Sequence, residues 1–120
     1  MKYPISSMTV NTSNIMKVLF AESIDGLTLE ELAWFARATS NAQHAAEYLS
    51  AMVEGVGCLV NEDRNEENAP GVGSFENPAK LLFSIKESLD AIAGLAHVGN
   101  VASARLIDVA LESTSKKRGK

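Results

Sequence analysis

Apolar and small residues recur at helical spacing through the first half of the chain. Between residues 28 and 61 they follow alternating steps of three and four, as on one face of a helix that packs against another helix. No proline interrupts this stretch. The positions form two interleaved rows, Leu32, Thr39, Ala46, Val53 and Val60, and Phe35, Ala42, Leu49 and Val56. The pattern predicts one long helix over residues 28–61.

A second stretch with the same spacing covers residues 78–113. Asn77-Pro78 is a strong helix start, because asparagine caps well and proline suits the first helical position. Gly94, Gly99 and Asn100 permit a kink near His97, and the pattern favours one helix that bends there. The positions of the apolar stripe are Leu82, Ile85, Leu89, Ile92, Ala96, Gly99, Ser103, Leu106 and Ala110.

The clearest local signal is Thr28-Leu29-Glu30-Glu31. The Thr28 side chain can accept the Glu31 amide while the Glu31 side chain accepts the Thr28 amide, which is a capping box. Leu27 and Leu32 occupy the flanking positions of a hydrophobic staple. A helix is therefore predicted to begin at Leu29.

The N-terminal region reads as a loose segment over residues 1–13, followed by a short helix over residues 14–22. Ser13 would cap that helix. A strand is the alternative, because Val18, Leu19 and Phe20 are consecutive and apolar. Asp25-Gly26 then indicates a turn.

The segment over residues 62–77 connects the two long stripes. It contains Gly71-Val72-Gly73, but it lacks the lysine and the preceding strand of a phosphate-binding loop. A short connection between two matched stripes predicts an antiparallel helical hairpin. The expected fold is therefore all-α: a long antiparallel hairpin with a short N-terminal helix packed on it.

Such a hairpin has little core by itself, because its middle is rich in alanine and glycine. Trp34, Phe35 and Phe83 need partners, so these side chains are predicted to mediate contacts. A second copy of the chain would supply a partner and complete a four-helix bundle. The pattern therefore predicts a homodimer.

Composition excludes several classes of protein. The chain has 120 residues, 46% of them hydrophobic and 22% charged, which suits one folded domain. The net charge of −4 argues against a general nucleic-acid binder. The single cysteine, Cys58, reads as a small core residue and suits a cytoplasmic setting. No apolar run is long enough to span a bilayer, and no signal peptide is visible.

Two histidines are the candidates for metal binding. In an antiparallel hairpin the residue numbers at one height sum to about 140, so His44 and His97 fall at the same level, with Glu47 nearby. The helical register places both histidines on outer faces. They are expected to be exposed or packed in a dimer, and a metal site formed by His44, Glu47 and His97 is the less favoured alternative. No cofactor is predicted.

The C-terminal segment over residues 114–120 is basic, with Lys116, Lys117 and Arg118 in sequence. Cations suit the negative end of a helix, so the segment is expected to end the last helix and to be solvated. A contact with nucleic acid is the alternative.

No nucleophile elbow, zinc spacing or dinucleotide fingerprint occurs. The sequence therefore predicts a non-enzymatic helical interaction protein, a small cytoplasmic regulator, adaptor or inhibitor that binds itself and a protein partner. A nucleic-acid-associated protein is the first alternative, and a metal-binding bundle is the second.

Overall fold

The computed structural model describes residues 3–65 and 78–119, and within these ranges the regular structure is entirely helical. Two 3₁₀ turns, Ile5–Ser7 and Ile24–Gly26, accompany the α-helices. The all-α prediction is therefore confirmed. The predicted loop over residues 62–77 lies outside the described residues, except for its first four. The α-helices are α1 (Thr12–Ser23), α2 (Leu29–Ala36), α3 (Ala38–Asn65) and α4 (Pro78–Arg118).

The short N-terminal element, α1, is a helix rather than a strand. Its N-cap is Asn11, whose backbone is extended and whose side-chain oxygen accepts the Asn14 amide at 2.8 Å. Ser13 is therefore not the cap: it lies inside the helix and is buried. The helix begins two residues earlier than predicted because Asn11 satisfies an amide of its first turn.

The capping box at the start of α2 is confirmed. The Thr28 amide donates to Glu31 Oε2 at 2.7 Å, and the Glu31 amide donates to Thr28 Oγ1 at 3.1 Å. The acidic side chains of Glu30 and Glu31 lie in the first turn, where the positive end of the helix dipole favours them.

One continuous helix over residues 28–61 was expected, and that expectation is wrong. The helix ends at Ala36, and Arg37 separates α2 from α3. The Arg37 amide donates to the Trp34 carbonyl at 3.2 Å, which is the tighter bonding of a 3₁₀ turn. At its other end α3 continues to Asn65, beyond the predicted end near Val60.

The last helix, α4, is 41 residues long, which corresponds to about 61 Å. It is continuous through Gly94, Gly99 and Asn100. It also extends to Arg118, past the predicted end near residue 113. Lys116, Lys117 and Arg118 form its last turn, where their charges complement the negative end of the dipole.

The core lies at one end of the molecule, in a unit we call the head: α1, α2, the first turn of α3 and residues 94–106 of α4. Phe20, Leu32, Val98 and Ala102 are buried together there. Two glycines of α4 allow the close packing. Gly94 lies against Ser13 and Met16 of α1, and Gly99 lies against Thr39 of α3.

The rest of α3 and α4, residues 42–65 and 78–93, forms what we call the arm. The chain measures 79 × 31 × 16 Å, with a radius of gyration of 20.9 Å. A compact chain of this length has a radius of gyration of about 14 Å. The molecule is therefore elongated. No helix in the described ranges combines the length and the hydropathy needed to cross a membrane.

Candidate functional site

The arm exposes large apolar side chains on both of its helices. Phe83 and Leu82 on α4 are each 65% exposed, and Met52 on α3 is 64% exposed. Val53, Leu59 and Leu89 are also exposed. Large exposed apolar side chains in this number favour a contact site in a soluble protein.

The two predicted apolar rows of α3 are covered unequally along the arm. In one row Ala42 is buried and Leu49 and Val56 are half-buried; in the other Ala46 and Val53 are exposed, and Val60 near the end of the helix is half-buried. A single neighbouring helix covers a narrow stripe, so the second row remains open to another partner.

Cys58 was expected in the core, and that expectation is wrong, because the thiol-bearing side chain is exposed. Residues two positions apart on a helix lie about 200° apart around its axis. Cys58 follows half-buried Val56 by two positions and precedes half-buried Val60 by two positions. It therefore lies on the side of α3 opposite the covered row.

The total accessible area gives the scale of this exposure. The molecule has 9170 Å² of accessible surface. A folded monomer of 12.8 kDa has about 6,300 Å², so this chain exposes roughly 2,900 Å² more than expected. One partner in a standard protein–protein interface loses about 800 Å². The surplus is therefore large enough for at least one stable interface.

A groove of about 600 Å³ lies in the head, between α1, α2 and the start of α3. Its wall contains a run of three aromatic rings. The Phe20 and Phe35 ring centroids are 5.1 Å apart, and Trp34 meets Phe35 edge-on at 5.0 Å. The lining residues are Met16, Leu19, Phe20, Ser23, Trp34, Phe35, Arg37, Ala38, Asn41, Leu95 and Val98.

Two of the predicted contact residues therefore lie in this groove, but they differ in exposure. Trp34 is 62% exposed, whereas Phe35 is half-buried and packs against the head core. Phe83 lies apart from them, in the arm. The predicted contact residues thus belong to two separate surfaces.

Among the described residues, Arg37 is the only charged one that lines the groove, and its guanidinium makes no hydrogen bond or ion pair with them. Asn41 lies one helical turn further along, and its amide donates to the Arg37 carbonyl at 3.2 Å. The groove is thus mostly apolar, and its polar lining residues are Arg37, Asn41 and Ser23.

His97 was expected to be exposed or packed in a dimer, but within one chain it is already half-buried. The Tyr3 hydroxyl lies 3.0 Å from His97 Nε2, and the two rings meet edge-on. Burial, and then the positive charge of Lys17, lower the pKa of His97 below its usual value. The N-terminal segment therefore covers a histidine that the helical pattern placed on an outer face.

The other metal candidates, His44 and Glu47, are exposed on α3. Glu47 accepts a hydrogen bond from the Gln43 side chain at 3.3 Å. In the described parts of the chain, no three residues among His, Cys, Asp and Glu come together in a geometry that could hold a metal ion. A site shared between two copies stays a prediction.

Lys116, Lys117 and Arg118 are exposed on the last turn of α4. Lys116 lies ten residues beyond Leu106, the last residue packed against the head core, which is about 15 Å along the helix. The exposed turn is therefore remote from the groove.

Comparisons with protein-family models, curated proteins and solved structures found no match to this chain.

Proposed function

We propose that this chain is a non-enzymatic interaction protein, a small cytoplasmic regulator, adaptor or inhibitor that acts as a homodimer. The observation that supports this function is the open apolar surface of the arm. Leu82, Phe83 and Met52 are each more than 60% exposed, which is costly for a protein that remains alone in water.

The arrangement we propose for α3 and α4 is an antiparallel hairpin. The contact between Thr39 and Gly99 supports it, as does the distance of 3.4 Å between Thr39 Oγ1 and Asn100 Oδ1. Both pairs fit the register in which residue numbers at one height sum to about 140. Two such arms, packed by their open rows, would make a four-helix bundle.

Dimerisation through the arm would cover part of the surplus area. A standard interface removes about 800 Å² from each copy, against a surplus of roughly 2,900 Å². The rest of that surface is open to a further protein partner. The predicted partners are thus a second copy and one heterologous protein.

Size-exclusion chromatography with light scattering tests the homodimer. The wild-type chain should be a dimer at micromolar concentration. Phe83→Glu places a charge within the open surface, so it should give a monomer with unchanged helical circular dichroism. The matched control is Ser84→Glu, which adds the same charge at the next residue of α4, also exposed but polar.

A wild-type chain that elutes as a monomer contradicts the proposal. So does a Phe83→Glu variant that remains dimeric as firmly as Ser84→Glu, because the open surface would then not be the interface. Affinity capture with wild-type and Phe83→Glu baits then separates the heterologous partners that need the arm from those that do not.

A further inference from the structure

The head groove has no part in the proposed dimer, and its chemistry differs from that of the arm. Its walls are mostly aromatic and aliphatic, and the guanidinium of Arg37 is the one charge that the described residues place there. Sites for small molecules have this composition: mostly apolar walls, a few polar groups that fix orientation, and a volume of about 300–1,000 Å³. At about 600 Å³ the groove lies within that range.

We propose that the head groove binds a small amphipathic carboxylate. The apolar alkyl or aryl body of this ligand packs against the wall formed by Phe20, Trp34 and Phe35. Its carboxylate accepts hydrogen bonds from the Arg37 guanidinium, with the Asn41 side chain one turn away as a second donor.

The charge of the groove indicates which polar group its ligand carries. None of the described aspartates and glutamates lines the groove, although the chain has a net charge of −4. A cationic ligand would meet Arg37 with nothing to offset the repulsion. An anionic ligand meets a guanidinium that has no ion-pair partner among the described residues, and guanidinium geometry suits a carboxylate.

The apolar wall of the groove indicates that the rest of the ligand is a hydrocarbon chain or an aryl ring. Leu19 and Trp34 are more than 60% exposed at the groove while Phe20 is buried beneath them. A hydrocarbon chain or aryl ring on this wall removes apolar area from water on both partners, at about 25 cal/mol per Å². A free inorganic anion would gain none of this.

Trp34 supplies the measurement, because it is the only tryptophan in the chain and it lines the groove. The full-length protein is titrated with decanoate, decanol and decylamine, each below the concentration at which it aggregates, while Trp34 emission is followed. The expected result is a saturable blue shift with affinity in the order decanoate, decanol, decylamine.

Two substitutions locate the contacts. Arg37→Gln should weaken decanoate binding about three- to tenfold, the modest effect of an exposed charge pair, and leave decanol binding unchanged. Leu19→Glu should weaken both ligands, and since Leu19 is exposed the fold should survive. The matched control is Arg105→Gln, which removes an exposed arginine that pairs with Asp25 outside the groove.

Several results would overturn the proposal: no saturable shift with decanoate, equal affinity for all three probes, or equal loss of decanoate binding in the Arg37 and Arg105 variants. A blue shift of Trp34 that depends on protein concentration without any probe would also overturn it, because a second copy would then occupy the groove. These results are independent of the light-scattering test of Phe83→Glu.

Discussion

The surroundings of His97 give the fold a dependence on pH. Burial, and then the charge of Lys17, lower its pKa in the folded state, so the unfolded chain binds a proton more readily. The contribution of His97 to stability is therefore complete above the unfolded pKa of about 6.5, and it is lost as the pH falls through the folded value.

We expect His97→Gln to reduce the loss of unfolding free energy between pH 7.5 and pH 5.5, because glutamine can still contact Tyr3 but does not titrate. Urea denaturation of both proteins at the two pH values measures this difference. The control is His44→Gln at the exposed histidine, which should lose stability as the wild type does. If His97→Gln lost as much unfolding free energy between these pH values as the wild type, the burial of His97 would not affect its protonation.

At the scale of residues, the sequence predicted hydrogen bonds between near neighbours in the chain but not contacts between distant segments. The Thr28–Glu31 capping box was readable because both partners lie three residues apart. The contact between Tyr3 and His97 joins residues 94 positions apart and belongs to no periodic pattern. Nothing local indicated that Tyr3 would cover that histidine.

At the scale of elements, Gly99 sets how closely α4 approaches the start of α3. A Cβ built on Gly99 would meet the backbone of Thr39, including its Cα at 3.0 Å. We expect Gly99→Ala to destabilise the fold by about 1–3 kcal/mol, since forcing apart packed helices outweighs the better helix propensity of alanine. The midpoint of urea unfolding measures it.

Gly55→Ala is the matched control for this prediction. Gly55 is also inside a helix, but a Cβ there meets nothing within 4 Å. Alanine should stabilise this position by about 0.5–1 kcal/mol, because it loses less backbone entropy than glycine on folding. Equal stabilisation by both substitutions would contradict the close packing of α4 against Thr39 at Gly99.

The ends of the helices show which elements the sequence could predict. The start of α4 at Pro78 followed from a strong local signal. The break at Arg37 had none, because arginine is a good helix former and no proline or glycine lies beside it. There α2 packs into the head while α3 continues into the arm, so tertiary packing decides where the two helices separate. The two apolar rows of α3 are likewise equivalent in sequence. Only the packing of α4 makes one row more covered than the other.

At the scale of the whole molecule, the exposed basic turn at the end of α4 is remote from the head groove. If it contacts DNA, three cations predict a slope of log affinity on log salt of about −2.7, and roughly a 40-fold loss of affinity between 50 and 200 mM salt. Fluorescence anisotropy with labelled DNA measures this. Replacing Lys116, Lys117 and Arg118 together by glutamine should remove the binding, and binding that survives would exclude this turn as the contact.

The head also has a consequence for how the chain is made. Its core joins Phe20 and Leu32 to Val98 and Ala102, so the first half of the core is synthesised well before the second. At about 5–20 residues per second, Leu32 waits roughly 3–13 s for Val98 to be added. During that interval the apolar faces of α1 and α2 have no α4 to pack on, and they are open to chaperones or to premature association. A nascent chain stopped after Ala93 should therefore leave Phe20 accessible to solvent, and only chains that extend past Leu106 should protect it.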